Sequence, residues 1–561
     1  MTAPLVATPR FRDLFTPKLV TVLREGYGLR QFQRDAIAGL TVAIVALPLS
    51  MAIAIASGLP PERGLFTAIV GGFLISALGG SRFQIGGPAG AFIVLIASII
   101  ERHGYDGLVL ATFLAGLMLI AIGYLRLGTY IKFIPYPVTV GFTAGIATII
   151  FASQLKEIFG LDLAKEPAAF LPKLEALWGA ASTFRPAALA VALVGIVLIV
   201  VLRRYRPHWP GFLMAVVVAS VATTFLQLDI ATIGTRFGGV PSMLPAPALP
   251  DFSIARIVAV FPDAISIAIL GGIESLLSAV VADGMTGRRH RSNCELVAQG
   301  VANIGSVMFG GMCATGTIAR TATNVRAGAH GPVSGILHAG YLLAFMLIAA
   351  PLMSLVPLAV LASVLAIVSW NMAEKAEFWA LIKASAGDRV VLLSTYLLTV
   401  FHDLTEGIAV GVILGALIFM HRMAKQVQID VRAPVDDVAD DTATAYDSAA
   451  SMDAAVMVYR INGPFFFGAT ATAGSILDRI GDHPRTLILD LSAVPFIDSS
   501  GAYMLESFLK TVRKSGTLVV FASAGDAVRR SLAAYGLGED HVRYAATVDE
   551  AIAQARSKGP A

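Results

Sequence analysis

Two cysteines in 561 residues, Cys294 and Cys313, are too few for a disulfide framework or a cysteine-rich metal site. Charge is scarce as well: 14% of residues are charged, against about 25% in ordinary soluble proteins, and 56% are hydrophobic. With a mean hydropathy of +0.74, these shortages exclude a disordered chain, a coiled coil and a typical soluble enzyme. There is no basic stripe interleaved with aromatics, so the pI near 9.0 does not point to nucleic acid. Residues 1–34 carry Arg and Lys but no signal-peptide apolar core, so no cleaved leader is expected. No Ser/His/Asp triad, phosphate loop or zinc motif is present; neither enzyme activity nor a cofactor or metal is expected.

What the chain has instead is apolar runs. Ala36–Ala56 holds 21 residues without a charge, and about 20 apolar helical residues cross a ~30 Å hydrocarbon core. Similar runs follow near 64–79, 107–124, 133–152, 186–202, 211–227, 261–282, 295–309, 334–356, 357–370, 389–401 and 405–420. Two further stretches, after Gly86 and after Cys313, are too glycine-rich for plain spans; counted as half-spanning, they bring the total to fourteen elements. The expected organisation is a short N-terminal segment (1–35), a transmembrane domain (36–424), a linker (425–452) and a soluble domain (453–561).

Charge placement tests that count. Residues 431–561 contain 12 basic and 16 acidic residues, leaving 30 basic and 22 acidic in the apolar part. Fourteen elements with cytoplasmic termini put Arg82, Arg126 with Lys132, Arg203–Arg206, Arg288–Arg291, Lys375, Lys383, Arg389, Arg422 and Lys425 on one side, as the positive-inside rule requires. Thirteen would put the second half's clusters outside. The expected location is a cell's inner (plasma) membrane, with the bilayer as the chain's surroundings.

The first span opens near Ala36 and the seventh near Pro262. Applying that offset to the break at Gly86-Gly87-Pro88-Ala89-Gly90 lands on Gly310–Gly316. The halves, about 36–227 and 261–420, hold seven elements each and therefore have opposite orientations. Paired interrupted segments in an inverted repeat point to a transporter's binding site, although a single glycine-rich break is as readily a packing face. Each break would open a half-helix whose free N–H groups attract an anion. Gly87, Pro88, Ala89 and Gly90 would form one wall, and Ala314, Thr315, Gly316 and Thr317 the other, with the threonine hydroxyls donating and Arg320 adding positive potential. Within 261–282 the ionisable residue past the entry is Glu274, with Ser278 on its face. A carboxylate near a bound anion is relieved by a co-bound cation, which is a physical route to symport. Asp283 beside Arg288 reads as an interfacial charge.

Downstream, Ala455–Ile461, Thr486–Leu491 and Thr517–Ala522 read as buried strands, with helical patterns near 471–480, 500–514 and 526–535: a small α/β domain.

The segments GLTVAIVALPLSMAIAIASGLPPERGLFTAIVGG from Gly39, FQIGGPAGAFIVL from Phe83, GGIESLLSAVVADGMTG from Gly271 and GGMCATGTIARTATNVRAGA from Gly310 resemble signatures of the SulP anion transporters. LDLSAVPFIDSSGAYML from Leu489 resembles the core of their C-terminal STAS domain. The resemblance covers about 30–535. It implies a seven-plus-seven inverted repeat, core and gate subdomains, elevator-like movement of the anion site and a homodimer. Sulfate is the family's default substrate; bicarbonate, C4-dicarboxylates or chloride are the alternatives, moved with H⁺, with Na⁺ or by exchange. The coupling site of sodium-dependent members falls on Glu274, Ser278, Cys313, Ala314 and Thr315, but those members show Asp, Thr and Gly at the first three. The bulkier carboxylate and a side chain in place of glycine favour H⁺. Leu49 follows Pro48 where many relatives have Gln. Ser500 in Asp498-Ser499-Ser500-Gly501 matches the phosphate-accepting serine of anti-sigma-factor antagonists; helix capping by Ser499 and Ser500 is the plainer reading. A passive anion channel and a membrane-anchored sensor are the rival functions.

Overall fold

Long uncharged runs have no way to satisfy their backbone in lipid except as helix, and helix is what the computed structural model contains. It describes residues 14–129, 134–163, 166–206, 209–432, 456–468, 484–514 and 516–557. The chain divides into two compact units, Met1–Val412 and Ile413–Ala561.

In the first unit each apolar run falls on a helix. Among the described residues eight helical stretches are long and apolar enough to cross a membrane, from Leu29–Ala56 to Leu404–Lys425, while Gly211–Phe225 is a shorter apolar helix. The run near 64–79 becomes Pro61–Phe66, a π-helical turn Thr67–Gly71 and Gly72–Leu78. The stretch after Gly86 and the run at 107–124 meet in one helix, Ile93–Tyr124, broken at Gly104 (φ 69°, ψ −174°). Between the runs at 133–152 and 186–202 lies an additional helix, Phe170–Gly179.

The helices pack in two groups. Leu29–Ala56, Gly72–Leu78, Ile93–Tyr124, Ile254–Thr286, Ser292–Met308, Ile318–Arg326 and Val333–Met353 form one; Tyr136–Ile158, Pro186–Tyr205, Leu358–Met372 and Ala386–Phe401 form the other. Phe92, Ile96, Leu108 and Leu119 pack with Ile267, Leu270 and Leu276 in the buried core. Where Ile93–Tyr124 crosses Ser292–Met308, Gly116 and Gly300 face each other. A Cβ on Gly116 would stand 2.7 Å from the Gly300 carbonyl oxygen, so the crossing requires glycine there.

The second unit is a five-stranded sheet of β3 (Gln428–Arg432), β4 (Val456–Asn462), β5 (Thr486–Ala493), β6 (Leu518–Ala522) and β7 (Arg543–Ala545), in that order. β3 runs antiparallel to β4 and the other pairs are parallel. β3 lies inside the 425–452 range expected to be linker, because the alternating pattern of Gln428–Arg432 satisfies an edge strand; 433–452 and the helical pattern at 471–480 lie outside the described residues. The patterns at 500–514 and 526–535 appear as Ser499–Lys514 and Asp526–Ala534. Phe465, Leu489, Leu505 and Phe521 fill the core between sheet and helices.

Candidate functional site

The two glycine-rich breaks meet. Gly86–Gly87 (β1) pairs antiparallel with Thr315–Gly316 (β2), Gly86 opposite Gly316 and Gly87 opposite Thr315. Beyond the ladder, the Thr317 N–H and hydroxyl donate to the Ile85 carbonyl at 3.0 and 3.2 Å, and the Ile85 N–H donates to the Thr321 hydroxyl at 3.1 Å. One chain then enters the tight turn Gly90–Phe92 and the helix from Ile93; the other enters Ile318–Arg326. The first turn of a helix leaves N–H groups without intrahelical acceptors and a partial positive charge. Gly90 and Ile318 are half-buried and Ala319 is exposed, whereas Ala91, Phe92 and Ile93 are buried.

Neighbouring helices hold the second break. The Asn303 side chain donates to the Ala314 carbonyl at 2.8 Å and accepts the Ala314 N–H at 2.9 Å. The Met312 N–H donates to the Thr67 hydroxyl at 2.7 Å, and the Ser306 hydroxyl donates to the Met312 carbonyl at 2.7 Å. Arg63 donates to the Gly310 carbonyl at 2.8 Å, and the Tyr105 hydroxyl donates to Gly311 at the same distance.

Arg320 is 2% exposed. Its Nη2 donates to the Ser50 hydroxyl at 3.1 Å, whereas Nε and Nη1 have no hydrogen-bond partner; no carboxylate pairs with it among the described residues. The guanidinium lies against Gly87 (φ +153°), where a Cβ would stand 2.1 Å from Nη1. The backbone at Gly87 thus favours glycine, and a side chain there would displace the guanidinium.

Glu274 is half-buried, and among the described residues it has neither ion pair nor hydrogen bond. Ile273 and Leu277, on either side of it, line a cavity of about 370 Å³ with Ile134, Thr139 and His290. The other residues expected around a coupling cation are engaged elsewhere. The Ser278 hydroxyl donates to Thr321 at 3.0 Å, and Cys313 Sγ lies 3.1 Å from the Thr112 hydroxyl. Glu274, Ser278 and Cys313 therefore form no common coordination set here. The Thr315 hydroxyl donates to the Gly271 carbonyl at 3.0 Å, so it and Thr317 anchor backbone instead of presenting free donors. Asp283 pairs with His290 (2.7 Å to Nδ1) and not with Arg288.

The two breaks thus meet at Gly86–Gly87 and Thr315–Gly316, with Arg320 against Gly87. Ser50, Asn303 and the fully buried His338 were not singled out from sequence. The signal for His338 existed, an ionisable residue inside the 334–356 run, the criterion that marked Glu274. In the second unit the Asp498 carboxylate accepts the Gly501 N–H at 2.8 Å and the Phe467 N–H at 3.0 Å. Asp498, and neither serine, caps the helix. Ser500 sits half-buried in its first turn.

Helices interrupted at paired strands, followed by a sheet with three parallel pairings and flanking helices, define a multi-pass membrane transporter with a C-terminal STAS domain. The sulfate permease family model matches residues 32–395 and the STAS domain model residues 449–551. The chain belongs to the sulfate permease family of anion transporters. A putative sulfate transporter, YvdB of Bacillus subtilis, is 40% identical over 499 residues, 88% of this chain and 92% of its own. A bicarbonate transporter, BicA of Synechocystis sp., is 30% identical over 521 residues, 90% of each chain. The solved transmembrane domain of a cyanobacterium BicA matches with TM-score 0.61 at 32% identity, covering 69% of this chain and 98% of that one. The murine Slc26a9 anion transporter in its inward-facing state matches with TM-score 0.85, covering 100% and 97%; at 19% identity the likeness speaks to the fold alone.

Proposed function

We propose that this chain is a secondary active carrier that moves a small anion, sulfate first, together with H⁺. The observation that carries this reading is Arg320: a buried guanidinium with two unpartnered nitrogens and, among the described residues, no carboxylate, in the first turn of the helix that follows the second break. A buried cation without a counter-ion is costly, and a bound oxyanion supplies one. Gly87, Pro88, Ala89 and Gly90 with Ala314, Thr315, Gly316 and Thr317 shape the walls of the site; because the N–H groups of Ala314 and Thr317 are already spent on Asn303 and Ile85, the anion is held by the first-turn N–H groups of the two helices that follow and by Arg320. Glu274, without a partner among the described residues, carries the coupling proton; its carboxylate and the anion repel one another until one proton neutralises it. H⁺ fits better than Na⁺, because Ser278 and Cys313 spend their polar atoms on other residues.

On this reading the helix group that contains both breaks travels against the other in an elevator-like movement, in a homodimer of the inner membrane with cytoplasmic termini. The STAS domain supports or regulates that dimer, and Ser500, in the first turn of its helix, is a position where an added phosphate would be stabilised. A bicarbonate carrier is the second reading, favoured by the relative named as a bicarbonate transporter. The test is uptake in proteoliposomes under an inward proton gradient, with labelled sulfate, bicarbonate and succinate compared. Glu274→Gln should abolish accumulation above equilibrium while leaving downhill exchange. Accumulation at the wild-type level would reject proton coupling through Glu274, and downhill flux alone in the wild type would reject coupled transport.

A further inference from the structure

His338 is the second ionisable anomaly in the helix group that holds the breaks. It lies in Val333–Met353, is 0% exposed, and neither ring nitrogen has a hydrogen-bond partner. Burying a polar group unpaired costs about 1–3 kcal/mol, and such a group marks a missing partner or a change of state. The ring lies beside Gly72, which itself packs on the Gly86 carbonyl, and the Arg320 guanidinium lies beside Gly87, the next residue of that strand. A Cβ at Gly72 would meet the Gly86 carbonyl oxygen at 2.9 Å and His338 Nδ1 at 4.0 Å, and a Cβ at Gly87 would meet Arg320 Nη1 at 2.1 Å.

The helices packed against Val333–Met353 are Leu29–Ala56, Thr67–Gly71 and Gly72–Leu78. The last two contain no titratable residue. On the first, Asp35 accepts the N–H groups of His330 at 2.6 Å and Gly331 at 3.0 Å, about two turns from His338, and Arg30 and Arg34 lie toward the same end. Among the described residues Arg320, with Ser50 as its one hydrogen-bond partner, is the charged group against Gly87.

We propose that His338 is a second proton-accepting residue of the transport cycle, linked to the anion through Arg320. With the anion absent, the Arg320 guanidinium repels a second cation nearby. A bound anion pairs with the guanidinium, and the imidazole then takes up a proton from solvent on its free nitrogen. The proton and the anion bind better together and leave together. This rests on the proton-coupled reading above but adds a residue remote from Glu274.

The test is equilibrium binding of labelled sulfate to the full-length protein in detergent between pH 5 and 9, for wild type, Glu274→Gln, His338→Gln and His338→Asn. Each proton taken up with the anion changes affinity about tenfold per pH unit. The wild type is expected to show a steeper dependence than any variant, and both His338 variants should lose up to one proton of slope. A single gel-filtration peak and a wild-type-like melting curve establish that the variants fold. If one His338 variant does not fold, the other is read. Wild-type slope in a folded His338 variant overturns the role of His338 and leaves coupling through Glu274 intact. A wild-type affinity that is flat with pH overturns both.

Discussion

Gly87→Ala gives the sharpest test of where Arg320 acts. The new methyl would stand 2.1 Å from Nη1 of a guanidinium that is 2% exposed and held at its other end by Ser50. It would also hold a side chain at φ +153°. Overpacking a filled interior costs about 1–3 kcal/mol, and a sparsely populated backbone conformation costs about as much again. The cheapest relief is for Arg320 to retreat by about an ångström, which breaks one charge-assisted hydrogen bond to the anion. That is worth about 1.5–3 kcal/mol, or roughly ten- to a hundredfold in affinity. The assay is concentration dependence of labelled-sulfate uptake into proteoliposomes, with Gly340→Ala as control. Gly340 is exposed on Val333–Met353, and a Cβ there meets nothing within 4 Å. Gly87→Ala should raise the half-saturating concentration at least tenfold while Gly340→Ala leaves it unchanged. A Gly87→Ala protein with wild-type half-saturation would refute the placement of Arg320 at the anion.

Asn303→Leu would strip Ala314 of partners for both its N–H and its carbonyl. At about 1–3 kcal/mol for each buried group left unpaired, the loss is about 2–6 kcal/mol, read as a lower melting temperature in detergent; an unchanged melt would mean that Asn303 does not hold the second break. In the STAS domain, burial pushes the Tyr544 phenol from 10.0 up to about 12, and its hydroxyl donates to the Leu537 carbonyl at 2.6 Å. Because the folded value lies above the unfolded one, this contribution to stability is complete below pH 10 and is lost as pH rises toward 12. Tyr544→Phe should flatten the alkaline part of the domain's stability curve, followed by far-ultraviolet circular dichroism; equal alkaline loss in both proteins would count against it.

The helices were legible because lipid leaves an uncharged run few alternatives: every run from 36–56 to 405–420 became helix. The breaks at Gly86–Gly90 and Gly310–Gly316 were legible as positions, since glycine and proline interrupt a 3.6-residue pattern. Their direct pairing was not, because a two-residue ladder between distant segments leaves no periodicity to read. The hydroxyls of Thr315, Thr317 and Ser278 illustrate a second limit. A sequence shows that a donor is present but not that Gly271, Ile85 or Thr321 has already claimed it. Asp498 shows a third: in Asp-Ser-Ser-Gly three residues can cap, and only the φ/ψ of the helix entry decides which does. β3 was hidden because an edge strand of five residues beside an acidic, alanine-rich stretch has the composition of a tether.

The β1–β2 ladder also bears on how the molecule is made. The Thr317 hydroxyl reaches the Ile85 carbonyl across 232 residues of sequence, and Gly86 and Gly87 find their strand partners equally late in the chain. Ribosomal synthesis delivers the first break long before the second exists. Its peptide groups must then wait, unpaired or borrowed by water, in a segment surrounded by apolar helices. The first half is therefore a biogenesis intermediate with an open seam, closed by the arrival of Thr315 and Gly316. A ribosome stalled ahead of them would leave that seam to the chaperones and proteases of the membrane.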